Sequence, residues 1–211
     1  RRVLFRSDCV RDHCRRLQLP CVGVLDQVMS VLAVHFHSKS EQWPGRQHQL
    51  DEGYFDRIDA MHYTLAHDDG QSTHDLDDAD VVLVGPSRTS KTPTCVYLAN
   101  RGVRAANVPL VPAVPPPPEL ESARRPLIVG LITDPERLVQ IRVNRLRLLQ
   151  EETETDYTDM ERVQGEIQEA RRLYARRKWA TIDVTRRSIE ETAAAILQML
   201  AVRREQRMQA Q

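Results

Sequence analysis

The sequence is short of several things, and each shortage removes a class of function. Only four cysteines occur in 211 residues: Cys9, Cys14, Cys21 and Cys95. None is spaced as C-x-x-C, so neither a zinc ribbon nor a redox dithiol is indicated. They read as reduced, mostly buried thiols of a cytoplasmic protein. Net charge is lacking too, because 30 Lys and Arg balance 30 Asp and Glu. Aromatics make up only 5% of the chain and the net charge is zero, so no nucleic-acid partner is expected. Apolar runs are short. None approaches the ~20 residues needed to cross a bilayer, so no membrane association is expected, and Val3–Phe5 is too brief for a signal-peptide core. The first residue is Arg1 and not Met, from which a fragment is expected, with Arg1–Ser7 set aside as non-native. The length suits one domain with a sizeable core, or one and a half.

What the chain does have is concentrated in Asp80–Thr92, DVVLVGPSRTSKT. Val81–Val84 is a short, mostly β-branched block of the kind found in a strand covered on both faces. Gly85, five further residues and then Lys91-Thr92 match the phosphate-loop spacing G-x-x-x-x-G-K-[ST], with Ser90 in place of the second glycine. The spacing has a physical reason. Loop N–H groups and the following helix N-terminus converge on one anion, Lys91 adds a point charge, and the Thr92 hydroxyl can ligate Mg²⁺. Gly85, Pro86, Ser87, Arg88, Thr89, Ser90, Lys91 and Thr92 are therefore the candidate phosphate-binding residues. Arg88 is also placed to hold a transferring phosphoryl group, with a solvent-facing role as the alternative. The competing reading of the whole segment is a plain strand–turn–helix whose Ser and Thr cap the helix. If the loop requires positive φ at Ser90, a non-glycine residue there costs about 1–2 kcal/mol.

Periodicity organises the rest. Helices are expected over Asp8–Leu19 and Leu25–Phe36, with a strand or turn at Pro20–Val24 between them and a loop over Ser38–Gln49. From Leu50, the apolar positions Leu50, Tyr54, Ile58, Met61 and Leu65 predict an amphipathic helix that stops at His67-Asp68-Asp69-Gly70. A linker, Gln71–Asp78, leads into the loop strand. Then come a helix over Thr92–Arg101, a strand over Ala105–Val111 and an extended tract over Pro112–Pro118. A strand over Pro126–Thr133 and a helix over Asp134–Gln150 follow, then a charged linker to Asp156. A helix over Asp159–Arg177 has a stripe of Met160, Val163, Ile167, Ala170 and Tyr174. A strand over Thr181–Val184 and a helix over Ser188–Val202 opening on the capping box Ser188-x-x-Glu191 complete the pattern. Arg203–Gln211 reads as a polar tail. Alternating strands and helices imply an α/β fold, a parallel sheet with helices on both faces.

A second candidate site lies at His67-Asp68-Asp69-Gly70. Adjacent carboxylates at a helix C-terminus are disfavoured by about 0.3–1 kcal/mol, which a bound cation or a proton-transfer role would offset. One Asp can take a proton, the other can ligate Mg²⁺, and His67 can shuttle a proton. The alternative is a polar turn in which Gly70 supplies φ > 0. Asp134 fits either a second metal carboxylate or a helix N-cap before Pro135, and the cap is the favoured reading. Arg142 and Arg145 read as a solvated face, and Cys95 as core.

Four stretches together resemble a known family: RIDAMHYTLAHDDG (Arg57–Gly70), Asp78–Pro112 around the loop, GLITDPERL (Gly130–Leu138) and IDVTRRSIEETAAAIL (Ile182–Leu197). They are similar to the bacterial regulatory proteins of phosphoenolpyruvate synthase and pyruvate, orthophosphate dikinase. The resemblance implies a P-loop kinase-like domain over residues 50–202, preceded in 1–49 by the remnant of a truncated N-terminal α/β domain. It implies a bifunctional enzyme in which ADP serves as phosphoryl donor to a target threonine. In the other direction inorganic phosphate removes that group and pyrophosphate is released. It makes His67, Asp68, Asp69 and Lys91 catalytic, puts Thr92 and Asp69 on Mg²⁺, and names phosphoenolpyruvate synthase or the dikinase as protein partner, with a homodimer as one allowed assembly. Pro86 departs from the family, which has Val or Ile there, and it removes one loop N–H. A P-loop small-molecule kinase and an inert nucleotide-sensing module are the alternatives.

Overall fold

A computed structural model of the protein describes residues 7–21, 26–35, 52–151 and 155–209. The chain divides into two compact units, Arg1–Asp51 and Glu52–Gln211. The first contains helices α1 (Ser7–Arg16) and α2 (Asp26–His35). Pro20 and Cys21 are irregular; the rest of the expected strand, and the expected loop after α2, lie outside the described residues.

The second unit is built on four strands: β1 (Val81–Gly85), β2 (Ala105–Pro109), β3 (Leu127–Ile132) and β4 (Ala180–Asp183). They pair in parallel in the order β2-β1-β3-β4. Parallel pairing demands a crossover between successive strands. These are made by α4 (Lys91–Ala99), α5 (Pro118–Ser122), α6 (Pro135–Leu149) and α7 (Met160–Arg177); α3 (Glu52–Ala66) precedes the sheet and α8 (Ile189–Gln209) follows it.

Strand β1 shows why the apolar block is unbroken: both its faces are covered. Val81 and Leu83 pack with Cys95 and Leu98 of α4 and with Ala193, Ile196 and Leu200 of α8. Val82 and Val84 turn to the opposite layer, against Leu120 of α5 and Ala170 and Tyr174 of α7. Each such side chain taken out of water contributes roughly 1.5–3 kcal/mol. This is the α/β, P-loop kinase-like arrangement that the sequence implied.

Three expectations need correction. The segment after Val202 is helical through Gln209, not a tail, because Arg203, Arg204 and Arg207 reach back to Arg124 O, Asp80 and Arg125 O. The extended proline tract gives way to α5, where Pro118 sits at the first turn and Leu120 is fully buried. Helix α3 forms where expected but buries a different face. Tyr54, Ile58 and Leu65 remain exposed, while Ala60, Thr64 and His67 point into the unit, where the Thr64 hydroxyl donates to Ala105 O at 2.8 Å. The helix turns its small and polar residues inward because they must fit against β2.

Candidate functional site

Strand β1 delivers Gly85 to the C-terminal rim of the sheet, and there is no room there for a side chain. A Cβ at Gly85 would lie 2.6 Å from Leu131 O. The chain then winds through Pro86–Ser90 into α4. Two residues of this loop are left-handed, Arg88 (φ 71) and Ser90 (φ 60). Ser90 makes no capping hydrogen bond with its side chain. The Thr89 hydroxyl goes instead to Pro86 O at 2.9 Å. Ser90 therefore does not cap α4 with its side chain, and the Thr89 hydroxyl ties the loop across to Pro86.

Lys91 is 5% exposed and its Nζ donates to Pro86 O at 2.9 Å. Burial pulls its pKa down to about 8, only partly opposed by the Asp69 charge. Pro86 thus lacks an N–H but holds the loop through its carbonyl. Arg88 is exposed and makes no hydrogen bond or ion pair among the described residues.

The turn after α3 comes to the same rim. Asp69 is left-handed (φ 50), followed by Gly70 (φ 73). The Thr92 hydroxyl donates to Asp68 Oδ1 at 2.9 Å. Asn107 of β2 reaches into the same cluster, its Nδ2 lying 2.7 Å from Asp68 Oδ1, 3.0 Å from Asp69 Oδ1 and 3.0 Å from Thr92 Oγ1. The phosphate loop and the carboxylate pair, separate in sequence, are one hydrogen-bonded site. Its hard oxygen donors fit Mg²⁺, although no three His, Cys, Asp or Glu side chains form a cage among the described residues.

His67 lies next to this cluster in the chain. It is buried and stacked on Tyr63, with ring centroids 3.9 Å apart. Its Nδ1 faces Tyr63 O and its Nε2 faces Asp75 Oδ1, both at 2.7 Å. The hydrogen bond from His67 holds the Asp75 carboxyl below the usual carboxylate range. Both ring nitrogens are committed to the scaffold, and its carbonyl accepts from Asn107 N at 3.0 Å. These contacts tie the start of the Asp68-Asp69 turn to Tyr63, Asp75 and β2.

Arg142 overturns its expected place on a solvated face. It is 1% exposed and pairs with Glu166 of α7 through both terminal nitrogens, at 3.1 and 2.6 Å. It also donates to Tyr157 O at 2.9 Å, and reaches Ser87 O at 3.4 Å. The Tyr157 hydroxyl lies 3.1 Å from Ser87 Oγ. Arg145 is exposed, as expected. Asp134 accepts from Arg137 N at 3.1 Å and is the N-cap of α6. Cys95 is core, its thiol pushed up by burial, while Cys14 is half-buried and Cys21 exposed, so the described thiols are not mostly buried.

Sequence reading missed Asn107, Asp75, Tyr157 and the Arg142–Glu166 pair. Only Asn107 left a signal, as the single hydrogen-bonding side chain within the run AANVP. No helix is long and apolar enough to cross a membrane among the described residues.

Comparison with known proteins agrees with this geometry. A family model described as kinase/pyrophosphorylase matches residues 6–197. A protein of Caulobacter vibrioides is 56% identical over 192 residues, covering 91% of this chain and 61% of its own length. One of Rhodospirillum rubrum is 56% identical over 191 residues, covering 90% of this chain and 70% of its own. One of Bradyrhizobium diazoefficiens is 50% identical over 209 residues, covering 97% and 75%. Each carries a name describing a pyruvate, phosphate dikinase regulatory protein. The chain spans less than two thirds of the Caulobacter relative. With its loop, its sheet order and a family match over most of its length, the chain belongs to the kinase/pyrophosphorylase family.

Proposed function

We propose that this chain regulates pyruvate, phosphate dikinase or phosphoenolpyruvate synthase by reversible phosphorylation of a threonine on the target. The observation that carries the reading is the joining of loop and carboxylates at Thr92 and Asn107, in a chain of this family. Phosphoryl transfer asks a protein chiefly to clamp phosphates, balance charge and orient a nucleophile. Gly85–Thr92 supplies the clamp: its backbone N–H groups and the N-terminus of α4 receive the diphosphate of ADP. Lys91 leaves Pro86 O for the phosphates, and an anion there stabilises its charged form. Arg88, exposed at the loop tip, closes on the transferring group.

In the forward direction the target threonine oxygen bonds to the β-phosphorus, the bridging P–O bond breaks, and AMP leaves. Asp68 receives the hydroxyl proton. Mg²⁺, when bound by Asp69 and Thr92, neutralises charge on the phosphates. In the reverse direction an oxygen of inorganic phosphate bonds to the phosphothreonine phosphorus. Asp68 takes the proton of the attacking phosphate, pyrophosphate forms, and the threonine oxygen departs with that proton passed on from Asp68. Both directions take place in the cytoplasm, where ADP and phosphate are available.

The test is incubation of this chain with purified dikinase or synthase and ADP labelled in its β-phosphate. Label on a target threonine is expected, released as pyrophosphate on adding phosphate. Label on a small metabolite instead would mark a small-molecule kinase, and binding without transfer a sensing module. Either result overturns the proposal.

A further inference from the structure

We infer that Asn107 is an oxygen ligand in the divalent-cation site: without a cation its amide nitrogen holds the carboxylates together, and with one its Oδ1 turns to the ion. The inference rests on the reading that Thr92 and Asp69 face Mg²⁺.

The hydrogen-bond inventory motivates it. Nδ2 carries two hydrogens but has three acceptors within 3.0 Å, namely Asp68 Oδ1, Asp69 Oδ1 and Thr92 Oγ1. Asp68 Oδ1 already accepts from Thr92. At the other end of the amide, Oδ1 is buried with no partner among the described residues, in a residue that is 1% exposed. Buried acceptors are rarely left unpaired, so this end of the side chain has unused bonding capacity. A half-turn about the last side-chain bond exchanges Oδ1 and Nδ2 without moving the backbone, and that torsion is soft. After it, Oδ1 takes the place that Nδ2 holds, beside Asp69 Oδ1 and Thr92 Oγ1, the two groups read as facing the ion. A hard cation takes such an all-oxygen set, completed by water or phosphate.

The topology points the same way. In phosphate-loop enzymes a carboxylate joins the loop hydroxyl on the metal. Here β2 flanks β1 and pairs Asn107 with Leu83, and the carboxylates arrive from the 68–69 turn. The amide then serves two states: donor to crowded carboxylates when the ion is away, acceptor when it is present.

The experiment titrates the whole chain with Mn²⁺ alone, read by its electron-spin resonance signal, in wild type, Asn107→Ala and Asp69→Ala. Both variants are expected to weaken binding at least about tenfold. If Asn107 only donates, its removal frees the carboxylates, and Asn107→Ala binds as tightly as wild type or tighter. That outcome, with Asp69→Ala still weakened, overturns the inference and leaves the metal reading standing. Wild type that takes up no Mn²⁺ overturns both. Should Asn107→Ala not fold, the side-chain amide resonances of Asn107 in wild type give the answer. They are expected to leave their hydrogen-bonded positions as Mg²⁺ is added, and unmoved resonances at saturation overturn the inference.

Discussion

Lys91 Nζ donates to the carbonyl oxygen of Pro86, five residues earlier, so the phosphate loop closes on its own lysine. The lysine is buried, and the charge is held there at a cost. Its ordinary pKa of 10.5 falls to about 8. Below pH 8 both folded and unfolded chains carry the proton and the full cost is present. Between about 8 and 10.5 only the unfolded chain keeps it, so stability rises with pH through that window. Lys91→Met is expected to abolish phosphoryl transfer while stabilising the fold at pH 7 by on the order of 3 kcal/mol. Urea denaturation at pH 7 and pH 10 checks this, since the gap between variant and wild type must shrink at the higher pH.

Ser90 holds φ 60 where a glycine would hold it freely. A left-handed non-glycine residue costs about 1–2 kcal/mol, and glycine's extra freedom in the unfolded chain gives back roughly 0.5–1. Ser90→Gly is therefore expected to stabilise the protein by about 0.5–1 kcal/mol, whereas Ser90→Ala keeps the strain and gains nothing. The comparison of their urea midpoints is the measurement.

Arg142 and Glu166 form a buried pair at 2.6 Å. Removing only the carboxylate strands a charge in the interior, and Glu166→Ala is expected to cost about 3–5 kcal/mol. The double variant Arg142→Met, Glu166→Leu removes both charges and should recover most of that loss. Thermal denaturation of the two variants decides it; a double variant as weak as the single one would refute the account.

At Gly85 the obstacle is backbone, not a movable side chain. Gly85→Ala would press its Cβ against Leu131 O, and β1 cannot slide without breaking its pairing on both sides. A loss of about 1–3 kcal/mol is expected, with transfer impaired because the loop is displaced at its root. Denaturation and the labelled-ADP assay, run on the same preparation, measure both effects.

Local chemistry was readable in the chain; long-range pairing was not. The apolar block Val81–Val84, the glycine after it and the capping box Ser188–Glu191 each depend on neighbours within a few residues, and each stands where expected. Arg142 misled because a guanidinium on a helix that carries four arginines looks solvated until Glu166, 24 residues away, is brought against it. His67 lies beside two carboxylates in the chain, but the one its ring contacts is Asp75, eight residues on, a pairing that sequence spacing does not reveal. In α3 the apolar spacing was genuine but the helix buried its small residues, since shape against β2 outweighed hydrophobicity.

Tyr174 lies across the sheet with its hydroxyl 3.2 Å from Val84 O and 3.3 Å from Leu131 O. Its ring fills the hollow left by Gly130, where an added Cβ would come within 2.4 Å. Positions 130 and 174 are thus one choice made twice: the aromatic is admissible only while its counterpart stays bare. A redesign that enlarges the first must shrink the second, and would then leave two strand carbonyls beneath the Gly85–Thr92 loop without their shared donor.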